Sequence, residues 1–285
     1  PSDIDYEKMY YNRYPLLRKA YERSDISKNP DYQNFLINNG WWLNDYALFM
    51  ALKKFFGGTG WTEWPEDIRM HWGFAVDYYN RELYFDIEFQ QYMQFKYYEH
   101  WMALKQYANS QGVQIIGDIP IYAAYDSAEV WARPKLFQLD AEKKPIAVAG
   151  CPPDCFAVTG QLWGNPLWDW DAMAKDHYAW WLSRIGFTLQ LYDVVRIDHF
   201  RGFERYYAIP YGNETAEHGK WKKGPDYALW KAAKDTFGMM NVIAEDLGNI
   251  TPAVIRLLKR TGFPGMKVMQ FAFDSDAENP YLPHN

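Results

Sequence analysis

The chain has 285 residues, a net charge of −6 and a hydrophobic fraction of 48%, so it can form one large domain or a domain with insertions. Its mild acidity argues against nucleic-acid partners, because a surface that follows phosphates is basic. We also expect no membrane partner, since the sequence has no signal-peptide pattern and no apolar run near the roughly 20 residues that a membrane span requires.

The cysteine and histidine pattern predicts no metal site. Cys151 and Cys155 stand in a Cys-x3-Cys spacing, which would require two further ligands, and the six histidines offer no paired spacing. Two cysteines in a chain of this length favour a reducing, cytoplasmic compartment over a disulfide framework. The chain starts abruptly at Pro1 and stops abruptly at Asn285, and we expect it to be a piece of a longer protein.

The first part of the chain, residues 1–111, predicts a mainly helical subdomain or insertion rich in aromatic residues. Residues 34–56 carry apolar and aromatic side chains at helical spacing and are followed by Gly57-Gly58. Residues 85–110 predict a long helix that Gly112 ends.

The pattern changes after residue 111, where strands and helices alternate. This alternation predicts right-handed crossovers and a parallel sheet, and residues 112–285 are predicted to be the central part of a β/α barrel. Thr251 followed by Pro252 predicts a helix N-cap. The predicted strands are 113–122, 194–198, 242–245 and 267–273, and the predicted helices are 127–132, 172–183, 227–236 and 251–259.

An insertion at about residues 134–170 interrupts the alternation. Residues 137–148 predict a small hairpin with a charged turn, and residues 150–166 predict a long irregular loop. Long loops in compact domains are commonly functional, and the apolar and aromatic residues here argue against disorder. The sequence therefore predicts an active-site loop.

Asp198 ends the apolar strand that starts at Val194. Residues two apart on a strand share a face, so Arg196 and Asp198 are expected to point into the same cleft. A guanidinium beside a carboxylate favours its ionised, nucleophilic form. The alternative is a structural role for Asp198, as a helix N-cap or in an ion pair with Arg196 or Arg201.

Glu245 ends the next apolar strand, Val242-Ile243-Ala244. Burial or a neighbouring carboxylate would raise its pKa and suit it to general-acid catalysis. Two such carboxylates are the minimal equipment for breaking a glycosidic bond, and a mechanism that retains the configuration at the sugar carbon places them about 5–5.5 Å apart. Adjacent strands lie about 4.8 Å apart, so residues at their ends can meet that distance. The alternative is an acid in the first turn of a helix.

Further polar residues are expected on the same rim. Asp118 ends the first strand and could bind sugar hydroxyls or orient Asp198. Aromatic residues make up 19% of the chain, and rings mixed with short polar side chains are typical of sugar subsites. Plain loop packing is the alternative for the loop candidates, which are Asp154, Gln161, Trp163 and Asn165.

Seven short segments stand in order along the chain: Gly117-Asp-Ile-Pro-Ile, Asp126-Ser-Ala-Glu-Val-Trp131, Pro152-Pro-Asp154, Thr159-Gly-Gln-Leu-Trp-Gly-Asn-Pro166, Val195-Arg-Ile-Asp-His-Phe-Arg-Gly202, Ala244-Glu-Asp-Leu-Gly248 and Tyr281-Leu-Pro-His-Asn285. Together they resemble the 4-α-glucanotransferase family, glycoside hydrolase family seventy-seven, whose members are also called amylomaltases or disproportionating enzymes. The resemblance covers nearly the whole chain and is least distinctive in the early helical part.

The resemblance implies an α/β fold, a TIM-type barrel of eight β/α units, partial in this chain, with an inserted helical subdomain. It implies retaining transfer of α-1,4-glucan segments between maltooligosaccharides derived from starch, through a covalent glycosyl-enzyme intermediate. It implies no metal or organic cofactor. Two alternatives remain open at this point, a starch or maltooligosaccharide hydrolase of the same α-amylase clan and a non-catalytic glucan-binding fragment.

By position, the resemblance implies that Asp198 is the nucleophile, Glu245 the acid/base and Arg196 the arginine that bonds the nucleophile. Cys155 stands where the family usually has Tyr, which removes one expected stacking contact. The family's third catalytic carboxylate follows the segment ending at Asn285 and its first barrel strands precede Pro1, so we expect about half a barrel here. The positions that match substrate-binding residues are Asp118, Asp154, Gln161, Trp163 and His199.

Overall fold

The computed structural model describes residues 3–154, 157–248, 250–273, 276–279 and 281–282. Cys155 and the segment 283–285 therefore lie outside the described residues. The chain forms two compact units, Pro1–Leu104 with Asp126–Pro134 and Lys105–Tyr125 with Lys135–Asn285. The predicted domains, residues 1–111 and 112–285, stay a prediction.

The first unit is built from helices, and the two long helices predicted from the sequence are confirmed. The second of them begins in this unit and ends in the other. Asn29 caps one long helix by accepting hydrogen bonds from the N–H groups of Asp31 and Tyr32, and Pro30 follows at the first helical position. The helices are α1 (Tyr6–Glu22), α2 (Pro30–Phe55), α3 (Glu66–Arg69), α4 (Gly73–Glu82), α5 (Tyr84–Ser110) and α6 (Ala128–Ala132).

Aromatic side chains form the core of the first unit. Tyr32 and Phe35 of α2 pack against Phe95 of α5, with ring centroids 5.5 and 5.6 Å apart. Tyr21 of α1 and Phe89 of α5 close the same cluster, with ring centroids 5.7 Å apart. Burying such a side chain contributes about 1.5–3 kcal/mol relative to leaving it exposed, so much of the high aromatic content serves packing.

The second unit contains a parallel sheet of three strands in the order β1-β4-β7. Helices lie between these strands in the sequence, which confirms the predicted alternation and the mixed α/β class. The described residues form three parallel strands rather than a closed barrel. The parallel strands are β1 (Ile116–Ile119), β4 (Val194–Ile197) and β7 (Val242–Ala244), and the other four strands are β2 (Ala147–Cys151), β3 (Gln161–Pro166), β5 (Arg205–Pro210) and β6 (Lys220–Lys223).

The second sheet is antiparallel, in the order β3-β2-β5-β6. It corrects the prediction of an irregular loop at 150–166, because residues 161–166 form β3 and pair with β2. The Gly and Pro content of this segment and its lack of alternation hide the strand in the sequence. Strands β5 and β6 were not predicted, whereas the bridge between Leu139 and Pro145 agrees with the predicted hairpin.

The helices of the second unit follow the predictions with two corrections. The helix predicted at 172–183 is split, because His177 and Tyr178 have φ angles of 56° and 61°. Residues 267–273, predicted as a strand, contain the 3-10 helix Met269–Phe273, since a short apolar run does not distinguish strand from helix. The helices are α7 (Trp170–Lys175), α8 (Ala179–Leu191), α9 (Tyr227–Phe237) and α10 (Pro252–Thr261).

Two features hold this unit's helices in place. Thr251 caps α10 as predicted, with its hydroxyl accepting the Val254 N–H. Trp168, Trp181 and Phe203 are fully buried, and the ring of Trp181 packs against the other two rings.

Among the described residues we find no helix with the length and apolar composition needed to cross a membrane.

Candidate active site

The ends of the three parallel strands bring the predicted carboxylates to one edge of the sheet. Asp118 of β1 is in register with Arg196 of β4. The Asp198 N–H donates to Ile119 O (3.0 Å), and the Glu245 N–H donates to the carbonyl of residue 197 (3.0 Å). These bonds continue the ladders past the strand ends, so both carboxylates leave the sheet at its C-terminal edge, where ligands of parallel sheets bind.

Arg196 lies at the centre of this edge. Its Nη1 donates to Asp118 Oδ1 (2.6 Å) and to Asp198 Oδ1 (3.2 Å). Its Nη2 lies 3.1 Å from Glu245 Oε2. Burial is the largest single effect on Arg196 and lowers its pKa, but the hydrogen bond and charge of Asp118 together with the charges of Glu245 and Asp198 outweigh burial, and the pKa of Arg196 is raised. One cation therefore holds three carboxylates in a fixed arrangement.

Glu245 is more buried than Asp198, with 16% of its side chain exposed. Burial is the main cause that raises its pKa. The hydrogen bond and charge of Asp198 raise the pKa further, while the His199 N–H (2.6 Å) and the charge of Arg196 oppose the shift. The raised pKa agrees with the predicted direction and favours a proton on this carboxyl.

Asp198 lies in a different environment, with 37% of its side chain exposed. Arg196 supplies a charged hydrogen bond, and solvent reaches the rest of the carboxylate. Two neighbouring carboxylates in unequal environments can take different roles, one as acid and one as nucleophile. The arrangement can therefore supply a proton from one carboxyl group to a substrate atom while the other carboxylate attacks the neighbouring atom.

His199 links the carboxylates to the aromatic side of the site. Its backbone is left-handed, with φ of 47°, and this turn aims its N–H at Glu245. Burial lowers the pKa of its ring to about 4, with the charge of Arg201 acting in the same direction. The ring is therefore neutral near pH 7 and can donate or accept a hydrogen bond.

Trp163 is partly exposed beside this histidine. Its ring lies edge-on to His199 with centroids 5.0 Å apart, and 6.2 Å from the ring of Tyr122. Its Nε1 donates to Gln161 Oε1 (3.0 Å) on the same strand. Strand β3 thus presents an aromatic ring beside His199 and an amide beside that ring.

The two remaining predicted residues make contacts that shape the loop. Asn165 Nδ2 donates to Ala123 O (3.0 Å), which ties β3 to the chain that follows β1. Asp154 Oδ1 accepts the Ala157 N–H (2.8 Å). Neither contact joins these residues to the carboxylate cluster. The cluster consists of Asp118, Arg196, Asp198, His199 and Glu245, with Trp163 against His199 and Gln161 against Trp163.

Two residues of the site were not predicted from the sequence. Met266 Sδ accepts a hydrogen bond from Arg196 Nε (3.3 Å), and Asp246 Oδ1 accepts the Met266 N–H (2.7 Å). Asp246 directly follows Glu245 and could have been noted as part of that motif. Met266 carries no local signal, because only the fold brings it to Arg196.

Paired carboxylates with an arginine at the ends of parallel strands are typical of enzymes that act on glycosidic bonds. Comparison with known proteins agrees with this class. The profile of the family described as 4-alpha-glucanotransferase, glycoside hydrolase family seventy-seven, matches residues 2–285, and the chain belongs to this family.

Several relatives are similar over almost the whole chain. The 4-alpha-glucanotransferase of Streptococcus pneumoniae is 48% identical over 285 residues, which are 99% of this chain and 56% of the relative. That of Thermus thermophilus is 45% identical over 286 residues, covering 99% of this chain and 57% of the relative. The chain thus spans little more than half the length of these curated relatives.

A solved structure shows the same fold. The amylomaltase from Streptococcus agalactiae in complex with acarbose superposes with a TM-score of 0.93 at 40% identity, covering 99% of this chain and 58% of that one. The amylomaltase from Corynebacterium glutamicum, at 21% identity and a TM-score of 0.74, shares the fold.

Proposed function

We propose that the whole protein is a 4-α-glucanotransferase in which this chain supplies two catalytic carboxylates. The observation that carries the proposal is the pair Asp198 and Glu245, held by one arginine in unequal environments. In this proposal Asp198 is the nucleophile, Glu245 the acid/base and Arg196 the group that hydrogen-bonds the nucleophile. Family membership supports the same roles.

The reaction follows from these roles in two steps. Asp198 attacks the anomeric carbon of the donor glucan while Glu245 gives its proton to the departing O4, so the α-1,4 bond breaks and a glycosyl ester forms. Glu245 then takes the proton of an acceptor's 4-hydroxyl, which attacks the ester and regenerates Asp198. The raised pKa of Glu245 suits the first step, and its ionised form, once the proton has left, suits the second.

The surrounding residues are proposed to bind the sugar rings. Trp163 offers an apolar face for a pyranose ring, and Gln161 and neutral His199 lie within reach of its hydroxyls. Asp118 is half exposed beside Arg196 and can accept a hydroxyl hydrogen bond. Asp154 and Asn165 are proposed to hold the loop that forms this subsite.

The three parallel strands are proposed to be part of a closed β/α barrel in the whole protein, with α-1,4-glucans from starch or maltose metabolism as substrates. A cytoplasmic location is proposed from the scarcity of cysteine.

Product analysis of maltotriose incubated with the whole protein tests the function. We expect glucose together with a ladder of longer maltooligosaccharides. Asp198→Asn and Glu245→Gln should each lower the rate by about 10³-fold or more, as expected for the loss of a nucleophile or acid. Asp235→Asn, an exposed carboxylate of α9 that pairs with Lys231, is the matched control and should retain the rate.

The other outcomes contradict the proposal in different ways. Glucose and maltose without longer products would make the protein a hydrolase. Binding of maltooligosaccharide without any product would favour a glucan-binding protein. Near-normal rates in either variant would remove Asp198 or Glu245 from the mechanism.

A further inference from the structure

A cavity of about 490 Å³ lies in the second unit at the N-terminal end of α10. None of its lining residues belongs to the proposed sugar subsites or to the catalytic cluster. Three arginines contribute to its wall, together with one carboxylate, one indole and the first turn of the helix. The lining side chains that matter here are Arg201, Arg205, Arg256, Glu204 and Trp221.

Arg201 is the unusual member of this wall. Only 5% of it is exposed, and its guanidinium lies 3.9 Å from the centroid of the Trp221 ring. Its Nε is buried and has no hydrogen-bond partner among the described residues. Burial lowers the pKa of Arg201, so its charge is incompletely compensated. A buried guanidinium without a paired carboxylate is costly, and an anion in the cavity that Arg201 lines would compensate its charge.

The charge of the cavity favours a dianion. Three arginines against the single carboxylate of Glu204 leave two positive charges. Helix α10 has ten residues, and its N-terminal N–H groups and dipole add to the positive potential at this end. A phosphate monoester carries about −1.5 to −2 charges near pH 7, which matches this surplus better than a single carboxylate does.

Glu204 adds a second requirement for a ligand of this cavity, which is a hydrogen-bond donor. Its Oε1 pairs with Arg205 Nε at 3.3 Å, but its Oε2 is buried without a hydrogen-bond donor among the described residues. Glu204 lines the cavity, and a ligand hydroxyl next to the phosphate group would supply a donor to this carboxylate. The cavity volume also lies within the range of small-molecule sites, about 300–1,000 Å³, and leaves room beyond a phosphate group.

We propose that this cavity binds a phosphate monoester of a polyol or sugar, with the phosphate on Arg201, Arg256 and the start of α10, and a hydroxyl on Glu204. The site goes beyond the proposed glucan transfer, because neither the substrates nor the products of that reaction carry phosphate.

Isothermal titration calorimetry of the whole protein tests the site with glycerol 3-phosphate, inorganic phosphate and glycerol. These probes avoid a pyranose that could enter the proposed glucan site, so the result does not depend on glucan transfer. We expect saturable binding of glycerol 3-phosphate, weaker binding of phosphate and none of glycerol. Arg256→Gln, at an exposed position that should tolerate the change, should weaken binding at least about fivefold, as expected for one lost charged hydrogen bond.

Arg260→Gln is the matched control, because it removes an exposed arginine one turn later on α10 that stacks on Tyr227; binding should not change. Glu204→Gln should bring the affinities for glycerol 3-phosphate and phosphate closer together. Absence of saturable binding, the result expected if an acidic side chain from outside this chain neutralises the arginines, would overturn the proposal. So would equal losses in the Arg256 and Arg260 variants. Equal affinity of the wild type for both phosphates would assign the cavity to free phosphate and overturn the role of Glu204.

Discussion

Arg196 is the residue that connects the three carboxylates of the candidate site. Its guanidinium contacts Asp118, Asp198 and Glu245 at once, and its Nε is held by Met266. Its charge lowers the pKa of Glu245 but does not cancel the larger, opposite effect of burial, so protonation of Glu245 remains favoured. The raised pKa of Glu245 has a consequence for stability that can be measured separately from activity.

We predict that Glu245→Gln raises the Tm of the whole protein near pH 7 and leaves it nearly unchanged near about pH 4. The raised pKa of Glu245 means that its protonated form is favoured in the folded protein. Its stabilising contribution is present below the ordinary pKa of 4.5 and is lost as the pH rises through the raised value. A neutral amide does not undergo this loss. Thermal unfolding at the two pH values checks the prediction.

Asp193 provides a control, because its pKa is lowered rather than raised and the expected change in Tm has the opposite sign. It accepts hydrogen bonds from the Ile115 N–H and from Asn109 Nδ2, both at 2.8 Å, and the first of these is the main cause that lowers its pKa. Asp193→Asn should therefore lower the Tm near pH 7, and the difference should shrink as the pH falls through the lowered pKa. A Tm for the Glu245 variant equal to or below that of the wild type at pH 7 would contradict the interpretation of that carboxyl.

At this scale the sequence predicts residues at strand ends well and residues on irregular segments poorly. Asp198 and Glu245 follow apolar β-branched runs, so their position at one sheet edge could be predicted before the structure. Met266 could not, because it follows α10 in a segment whose path is set by tertiary contacts such as the Ala244 N–H to Pro264 O hydrogen bond (2.9 Å). Its contact with Arg196 is visible only in three dimensions.

The pairing of β2 with β3 carries the aromatic side of the site. Cys151 is in register with Gln161, and Gly150 with Leu162. A Cβ atom at Gly150 would overlap the carbonyl oxygen of Gln161. Because that oxygen belongs to the backbone, only a shift of the strand could relieve the overlap, and that strand carries Trp163.

We therefore predict that Gly150→Ala destabilises the protein by about 1–3 kcal/mol, the usual cost of overpacking. The shift of β3 should also move Trp163, so KM for maltotriose should increase more than kcat falls. Denaturant unfolding and steady-state kinetics of the whole protein check both parts. Gly73→Ala is the control, since its Cβ would meet no atom within 4 Å and should leave both quantities nearly unchanged. Unchanged stability in the Gly150 variant would mean that the two strands are not closely paired.

At the scale of elements, long periodic segments and apolar β-branched runs were predictable, whereas short segments without such a pattern were not. Helices α2 and α5 follow from many turns of regular spacing, whereas β3, β5 and β6 contain four to six residues each. A short segment gains its structure from its neighbours, as β3 does from β2. The same reason explains residues 269–273, which are apolar but form a 3-10 helix.

At the scale of the whole molecule, the feature to explain is the edge of strand β1 that is unpaired within the described residues. The sheet order β1-β4-β7 leaves β1 at one edge among the described residues, and an exposed edge of a parallel sheet is normally covered. The proposed barrel would place a further strand of the whole protein there. Residues of a strand alternate in the direction of their N–H groups. Since Ile119 accepts the Asp198 N–H, Gly117 and Ile119 face β4, and Ile116 and Asp118 face the outer edge.

We predict that in the whole protein the amides of Ile116 and Asp118 exchange with solvent as slowly as those of Gly117 and Ile119. A closed barrel pairs both sides of β1, so all four amides would open only with the sheet itself. Hydrogen–deuterium exchange with residue-level fragmentation measures this, and the inner pair serves as the internal control. Fast exchange at Ile116 and Asp118 beside slow exchange at Gly117 and Ile119 would mean that β1 remains an edge strand. The catalytic edge would then belong to an open sheet, and the third catalytic carboxylate expected in this family would have to reach Asp198 and Glu245 from a loop rather than from a neighbouring strand.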